Sequence, residues 1–242
     1  MSHLTVNIDM VAALREIRGL AEPDPADVAV LASLAGADGI AVQLRRSRRF
    51  VRDRDVYILK GIVKTKLTLE LPPVDEFIET ALEVKPWMVT FGADQVNGDG
   101  PISPIDLNVA DIDFRDTVTR FKAVGVHVGF FVEPNPDQIK GVSRTGGGAV
   151  LFDCSGYSNA QTVEQAQEEL DRLDHTANAA AKAELAVHCG RGISYRNIRP
   201  LVELELVDEF VIGYAIASRA LLVGYERAVL EMHRLVRGQA AQ

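Results

Sequence analysis

The sequence predicts a single (β/α)8 barrel domain over residues 1–242, and three observations indicate this fold class. Eight short apolar runs alternate with segments of helical period along the whole chain, which is typical of a parallel sheet. The centres of these runs lie roughly 29 residues apart, about the length of one strand with its helix. An open doubly wound sheet is the alternative, but the first run ends in Asn7-Ile8-Asp9-Met10, without the glycine-rich loop of that fold.

The predicted strands are the eight runs of mainly apolar residues, at residues 4–8, 39–44, 67–71, 87–91, 126–132, 149–153, 185–189 and 209–212. Helix starts between them carry capping residues. Asp24 and Asn135 each precede a first-turn proline, and Thr162 with Gln165 forms a capping box. A last helix is expected to carry one apolar stripe, made of Leu222, Tyr225, Val229, Met232 and Val236.

Composition and charge exclude several classes of protein. The chain is 47% hydrophobic and 25% charged, an ordinary globular mixture, and its formal net charge is -8. An acidic chain is a poor general binder of nucleic acid or of an anionic membrane. The sequence contains neither a recognisable signal peptide nor an apolar run of membrane-spanning length. We therefore expect a cytoplasmic protein with neither nucleic acid nor a membrane as partner.

Two predicted strands end in polar residues, at the edge where a barrel places its active site. Asn7 and Asp9 alternate with apolar residues in the first strand, although Asp9 would equally suit the start of a helix. In the third strand Thr68 and Glu70 alternate with leucines, so they face the barrel interior. A buried glutamate needs a partner or a function. Glu70 is therefore a candidate general base, with a structural salt bridge as the alternative.

The loop after the second strand concentrates positive charge. Residues 45–54 contain six arginines and one aspartate, in a chain that is acidic as a whole. A planar guanidinium can bind phosphate through two parallel hydrogen bonds. The cluster predicts a phosphorylated small-molecule substrate, with Arg45, Arg48 and Arg49 as the candidate ligands. The remaining arginines are expected to lie in solvent or in ion pairs.

Glycine-containing turns follow the seventh and eighth strands, as Gly190-Arg191-Gly192 and Gly213-Tyr214. Barrels frequently bind phosphate with these two loops and a helix N-terminus. Glycine allows backbone N–H groups to approach an anion closely. The position therefore predicts phosphate binding, and simple tight turns are the alternative.

Asp153-Cys154 and His188-Cys189 end two adjacent predicted strands. Their order is not a known metal-ligand spacing, so no metal site is predicted. We interpret Cys154 and Cys189 as small buried side chains, since two cysteines cannot build a disulfide framework.

At these same residues the sequence resembles the pyridoxine 5'-phosphate synthase family. The similar segments extend over nearly the whole chain, at residues 6–9, 14–19, 23–25, 35–40, 44–45, 48–49, 53–56, 69–70 and 212–213. The resemblance implies a (β/α)8 barrel with extra helices that build a homo-octamer. It also implies condensation of 3-amino-2-oxopropyl phosphate with 1-deoxy-D-xylulose 5-phosphate, with no metal or organic cofactor.

The resemblance implies specific roles for residues already singled out. Glu70 would be the general base. The implied substrate-binding residues are Asn7 and Arg18 near the amino ketone phosphate, Asp9 and Arg45 near the sugar phosphate, and Gly192 and Gly213 holding phosphate by their backbone.

Two positions where the family has proton-transfer histidines differ in this chain. They are Gln43 after the second strand and Arg191 after the seventh, and both are candidate catalytic positions in a divergent site. A single positioned acid or base contributes about 10²–10⁴-fold in rate, so these replacements bear directly on the reaction.

Two further hypotheses therefore stay open. One is a related enzyme with a different reaction, in which Glu70 acts together with Asp9, Asp153 or His188. The other is a non-catalytic barrel that binds a phosphorylated metabolite or only assembles with a partner.

Overall fold

The computed structural model describes residues 1–94, 100–109 and 112–239. Its strands form a closed parallel barrel in which β8 pairs with β1, which confirms the predicted fold class. The strands are β1 (His3–Asn7), β2 (Gly39–Gln43), β3 (Lys66–Leu71), β4 (Met88–Phe91), β5 (His127–Val132), β6 (Ala149–Asp153), β7 (Ala186–Gly190) and β8 (Glu209–Ile212). All eight lie within one residue of the predicted bounds at each end.

Helices pack around the barrel, and β1, β6 and β8 are each followed by two of them. The helices are α1 (Asp9–Arg18), α2 (Pro25–Leu34), α3 (Asp53–Ile62), α4 (Asp75–Val84), α5 (Phe114–Ala123), α6 (Pro136–Thr145), α7 (Ser155–Ser158), α8 (Val163–Lys182), α9 (Ile198–Glu203), α10 (Tyr214–Val223) and α11 (Tyr225–Val236). None of the helices in the described residues combines the length and the apolar character that a membrane crossing requires.

The predicted helix starts are confirmed by their caps. The side chains of Asp24, Asn135 and Thr162 accept hydrogen bonds from backbone N–H groups of the first turns of α2, α6 and α8, over 2.9 to 3.2 Å. The prediction of a single last helix was wrong, because Gly224 (φ +86°) separates α10 from α11. Leu222 consequently lies on α10 and is exposed, while Val229 of α11 is buried.

Strand alternation divides the buried residues into two groups. Side chains that point outward from the strands pack against the helices and form the main core. Inside the barrel a small apolar cluster fills the middle, made of Ala41, Ile102, Phe131, Leu151 and Val211. This layer separates two polar regions, one at the C-terminal mouth of the barrel and one at its N-terminal end.

Candidate functional site

A cavity of about 550 Å³ opens at the C-terminal mouth of the barrel. Its walls come from the ends of β1, β3, β7 and β8, and from the loop after β2. The charged side chains that line it are those of Asp9, Arg45, Glu70 and Arg191. The described lining residues include no histidine. The mouth therefore combines two carboxylates and two guanidinium groups around one small-molecule-sized space.

Glu70 near the end of β3 forms an ion pair with Arg191. Nη2 of Arg191 lies 3.1 Å from Oε2 of the glutamate, whose side chain is 2% exposed. The Arg191 guanidinium also lies over the ring of Phe131, 4.9 Å from its centroid. Arg191 itself adopts the left-handed conformation (φ +68°), which costs a non-glycine residue about 1–2 kcal/mol. The salt bridge expected for Glu70 is therefore present, while its role as general base stays a prediction for a side chain that also lines the cavity.

Asp9 is buried where β1 gives way to α1, of which it is the first residue. Its Oδ1 accepts a hydrogen bond from the backbone N–H of Gln43 over 2.9 Å. Its own N–H donates to Oδ1 of Asn7 over 3.0 Å. Oδ2 lies 3.7 Å from Nη2 of Arg45, longer than a hydrogen bond. Asp9 therefore has one oxygen fixed by the barrel and a second that is less constrained.

The surroundings of Asp9 disfavour its charged form. Burial raises the pKa of Asp9 to about 6, and the negative charge of Glu70 adds to this effect. The hydrogen bond from Gln43 and the charges of Arg45 and Arg191 act in the opposite direction and only partly compensate. Asp9 therefore changes its protonation close to neutral pH.

Arg45 is held against the cavity by the ring of Phe50, whose centroid lies 4.5 Å from its guanidinium carbon. The backbone of Phe50 is fixed from α1: its carbonyl accepts from Arg15 over 2.9 Å and its N–H donates to Glu16 over 2.6 Å. Arg15 in turn makes two hydrogen bonds to Asp55 of α3, over 2.8 and 2.6 Å. This buried arginine–aspartate pair therefore sets the path of the loop that presents Arg45.

The ends of β7 and β8 require glycine for steric reasons. Gly192 has φ +66°, and a Cβ there would overlap Oγ of Ser158. At Gly213 a Cβ would lie 2.8 Å from the carbonyl oxygen of Asn7. The N-terminus of α10 starts directly after Gly213 and meets the cavity at Tyr214. Gly190, Gly192, Gly213 and Tyr214 all line the cavity, which brings a positive helix end to the predicted phosphate region.

The structure turns two of the predicted phosphate ligands away from the cavity. Arg48 pairs with Asp53, over 2.8 Å, and with Glu76. Arg49 pairs with Glu16 over 3.2 Å and is largely exposed. Neither arginine belongs to the cavity lining. Carboxylates on α1, α3 and α4 thus already engage these guanidinium groups, and of the three candidates only Arg45 reaches the site.

Gln43 and Arg18 also lie off the lining of the cavity. Gln43 is fully buried, and its Oε1 lies 3.4 Å from Nη2 of Arg45, which donates to it. Its Nε2 has no hydrogen-bond partner within the described part of the chain. Arg18 is exposed at the end of α1. Gln43 thus contacts Arg45 from below instead of facing the ligand space.

The other polar residues at strand ends have local roles. Asp153 accepts a hydrogen bond from the N–H of Ser155 over 2.8 Å, at the start of α7. His188 lies inside the barrel with Nδ1 3.9 Å from Oε1 of Glu209, and burial lowers its pKa. Neither side chain lines the cavity.

Both cysteines are buried. A hydrogen bond with Cys189 raises the pKa of the Cys154 thiol, and burial raises it further. The thiol of Cys154 is therefore a poor nucleophile. Among the residues that the structure describes, no three His, Cys, Asp or Glu side chains are grouped to hold a metal ion.

Sequence reasoning missed Phe131 and Ser194. Phe131 supports Arg191, and alternation along β5 places it on the inward face with Gly129, so that signal was available. Ser194 lines the cavity from the loop after β7, and no local pattern marks it.

Comparison with known proteins gives a consistent result. Residues 4–238 match the family described as "Pyridoxal phosphate biosynthesis protein PdxJ". A pyridoxine 5'-phosphate synthase of Geobacter metallireducens is 39% identical, over 98% of this chain and 99% of the relative. Another, of Syntrophotalea carbinolica, is 40% identical, over 98% of this chain and 100% of the relative.

Among solved structures, phosphoribosyl anthranilate isomerase from Thermus thermophilus matches with a TM-score of 0.61. The match covers 98% of both chains at 12% identity, so it shows the barrel fold alone. The full-length sequence matches go further: the chain belongs to the PdxJ family of pyridoxal phosphate biosynthesis proteins.

Proposed function

We propose that this chain is a pyridoxine 5'-phosphate synthase that condenses 3-amino-2-oxopropyl phosphate with 1-deoxy-D-xylulose 5-phosphate in the cytoplasm. One observation carries the proposal. A buried carboxylate, Glu70, faces a cavity that has an arginine on one side and glycine loops on the other. The named relatives, similar over their whole length, support the same activity.

The charge distribution of the cavity suits two small phosphorylated substrates. Arg45 offers a guanidinium group at the side of β2. Gly192 and Gly213 offer close backbone approach, next to the N-terminus of α10. We propose that these two regions hold one phosphate each, with Asn7 between them at the end of β1.

Within this arrangement Glu70 acts as the general base. Arg191 is not the proton donor, because a guanidinium group donates hydrogen bonds but does not act as an acid in proteins. Its proposed role is electrostatic: it orients Glu70 through their ion pair and stabilises negative charge that develops on the substrate. Gln43 supports Arg45 through their hydrogen bond and transfers no proton itself.

The test is an assay of the purified protein with both substrates, with mass spectrometric detection of pyridoxine 5'-phosphate. We expect turnover from the wild type, and strongly reduced turnover from a Glu70→Gln variant that remains folded. Glu168→Gln, an exposed substitution on α8, is the matched control. Absence of product from folded wild-type protein would reject the proposed reaction.

The ion pair between Arg191 and Glu70 favours a second candidate function. The ion pair occupies Glu70, the proposed base, and the described lining of the cavity contains no histidine that would act in its place. Such a barrel could bind a phosphorylated metabolite without turning it over. Titration calorimetry with each substrate separates the two candidates, since a binder keeps its affinity in the Glu70→Gln variant and yields no product.

We also propose that the protein works as a homo-oligomer, with the octamer implied by the family resemblance as the expected size. The groove between α1 and α10 exposes large apolar side chains, namely Leu14, Ile17 and Leu221. Such patches commonly mark protein–protein contacts. Light scattering should show an assembly for the wild type, and a smaller species for Leu221→Asp.

A further inference from the structure

The cavity contains a second carboxyl group besides the proposed base. We infer that Asp9 is the general acid of the reaction and donates a proton to a substrate carbonyl oxygen while Glu70 removes a proton from the adjacent carbon. The inference rests on the proposed function, because it uses the same cavity and the same ketone substrates. It goes beyond the substrate-binding role that the family resemblance implies for this residue.

The geometry leaves one oxygen of Asp9 available for this role. The backbone N–H of Gln43 fixes Oδ1 over 2.9 Å. Oδ2 lies 3.7 Å from Nη2 of Arg45, too far for a hydrogen bond. A protonated carboxyl group still accepts at Oδ1, so Oδ2 is the natural position for the proton. Asp9 lines the cavity, so this oxygen is within reach of a bound substrate.

The other lining residues are less suitable as proton donors. The guanidinium groups of Arg45 and Arg191 donate hydrogen bonds but do not act as acids in proteins. Tyr214 has 73% of its surface exposed to solvent, so its hydroxyl is not held in place at the mouth. Gln43 carries an amide, which does not exchange protons usefully, and it lies beneath the lining. Asp9 is therefore better placed than any of these groups to act as the partner of Glu70.

The electrostatic setting of Asp9 supports the same role. The charged groups that face it are Glu70 from β3, Arg45 after β2 and Arg191 after β7. Burial, reinforced by Glu70, raises the pKa of Asp9 to about 6 despite the two arginines. A general acid is most effective when its pKa lies near the operating pH.

The proposed step is a keto–enol conversion. Glu70 takes a proton from the carbon beside the substrate carbonyl, and the electron pair of that C–H bond forms a C=C bond. The π electron pair of the carbonyl moves to its oxygen, which accepts the proton of Asp9. The step leaves an enol, a protonated Glu70 and an ionised Asp9, and exchange with solvent restores both carboxyl groups.

The test compares Asp9→Asn with the wild type over pH 5 to 9. Asparagine keeps the acceptor for the Gln43 N–H, so the fold and much of the substrate binding should persist. We expect kcat to fall by at least about 100-fold, with KM changed by less than about threefold. We also expect the wild-type decline in kcat above about pH 6 to be absent from the variant. Asp53→Asn is the matched control, because Asp53 is also the first residue of a helix but lies off the cavity.

Two results would overturn the inference. One is an Asp9→Asn variant whose KM rises while kcat stays within about threefold of the wild type, since that describes a binding residue. The other is a variant that keeps the wild-type pH profile of kcat.

A second measurement separates this inference from the proposed function. Incubating 1-deoxy-D-xylulose 5-phosphate alone with the wild type in D2O should incorporate deuterium beside the carbonyl, as seen by NMR. If the wild type exchanges deuterium but makes no pyridoxine 5'-phosphate, the proposed function fails. The role of Asp9 is then decided by the rate of deuterium exchange in the Asp9→Asn variant. Absence of both exchange and product would overturn both.

Discussion

The two ends of the barrel interior each bury a glutamate: Glu70 lines the cavity at the mouth, and Glu209 lies at the N-terminal end. At the mouth Glu70 meets Arg191 and borders a space of about 550 Å³. At the N-terminal end Glu209 lies between Lys66 and His188, with its oxygens 3.5 Å from Nζ and 3.9 Å from Nδ1. Glu209 is not among the residues that line the cavity at the mouth.

Burial of a carboxylate is therefore by itself poor evidence for function. Both glutamates are about equally buried and both have a charged neighbour. They differ in their position along the strand: Glu70 lies near the end of β3, and Glu209 is the first residue of β8. In a parallel barrel that position decides which side chains reach the active-site loops.

The largest effect is expected when the negative charge of Glu70 at the mouth is removed. We expect Glu70→Gln to lower kcat by about 10²–10⁴-fold, because the proposed general base is lost. The free energy of unfolding should also fall, by about 1–3 kcal/mol, because Glu70 is buried and its ion pair with Arg191 is weakened. Steady-state kinetics and urea unfolding measure the two quantities on the same samples. Normal turnover would show that Glu70 is not the base.

A second prediction concerns the stability cost of Asp9. Its pKa is about 6 in the folded protein and near 3.8 when unperturbed, so the folded state holds the proton more tightly. The stabilisation that results is complete below about pH 3.8 and is lost as pH rises through about 6. The difference corresponds to roughly 3 kcal/mol at most.

Asp9→Asn should therefore make the protein more stable than the wild type at about pH 7.5, by up to that amount. It should also flatten the pH dependence of stability between about pH 4 and 6. Urea unfolding at several pH values measures both effects. A variant less stable than the wild type at pH 7.5 would contradict the expected sign.

At the opposite end of the barrel we expect a loss of stability without a loss of turnover. Glu209→Gln removes the charge beside Lys66 and His188 and should lower the free energy of unfolding by about 1–3 kcal/mol. Because this end lies across an apolar layer from the cavity, kcat should stay within about twofold of the wild type. A loss of turnover in a fully folded Glu209→Gln variant would show that the two ends of the barrel are coupled, and would contradict this prediction.

The smallest effect is expected at Arg48. This arginine is engaged by Asp53 and Glu76 outside the cavity, so Arg48→Ala should change KM for either phosphorylated substrate by less than about threefold. Arg45→Ala is the counterpart at the mouth, where loss of a charged phosphate contact should raise KM by about 10-fold or more. Equal effects of the two substitutions would show that the loop rearranges when substrate binds.

Much of the site followed from local rules. Strand alternation and strand ends indicated Asp9, Glu70, Gly192 and Gly213, and all four line the cavity. The choice among the arginines did not follow, because all of them share one loop and one side-chain chemistry. Their directions depend on acidic partners that come from distant parts of the chain.

The sequence by itself determined the barrel, since apolar runs about 29 residues apart with capped helices between them leave few other arrangements. It also determined which residues stand at strand ends, because that depends only on order along the chain. The tertiary structure alone decided that Arg45 faces the ligand space, that Gln43 lies beneath it, and that the pKa of Asp9 is raised. These properties depend on burial and on charges brought together from separate strands, and no local pattern encodes them.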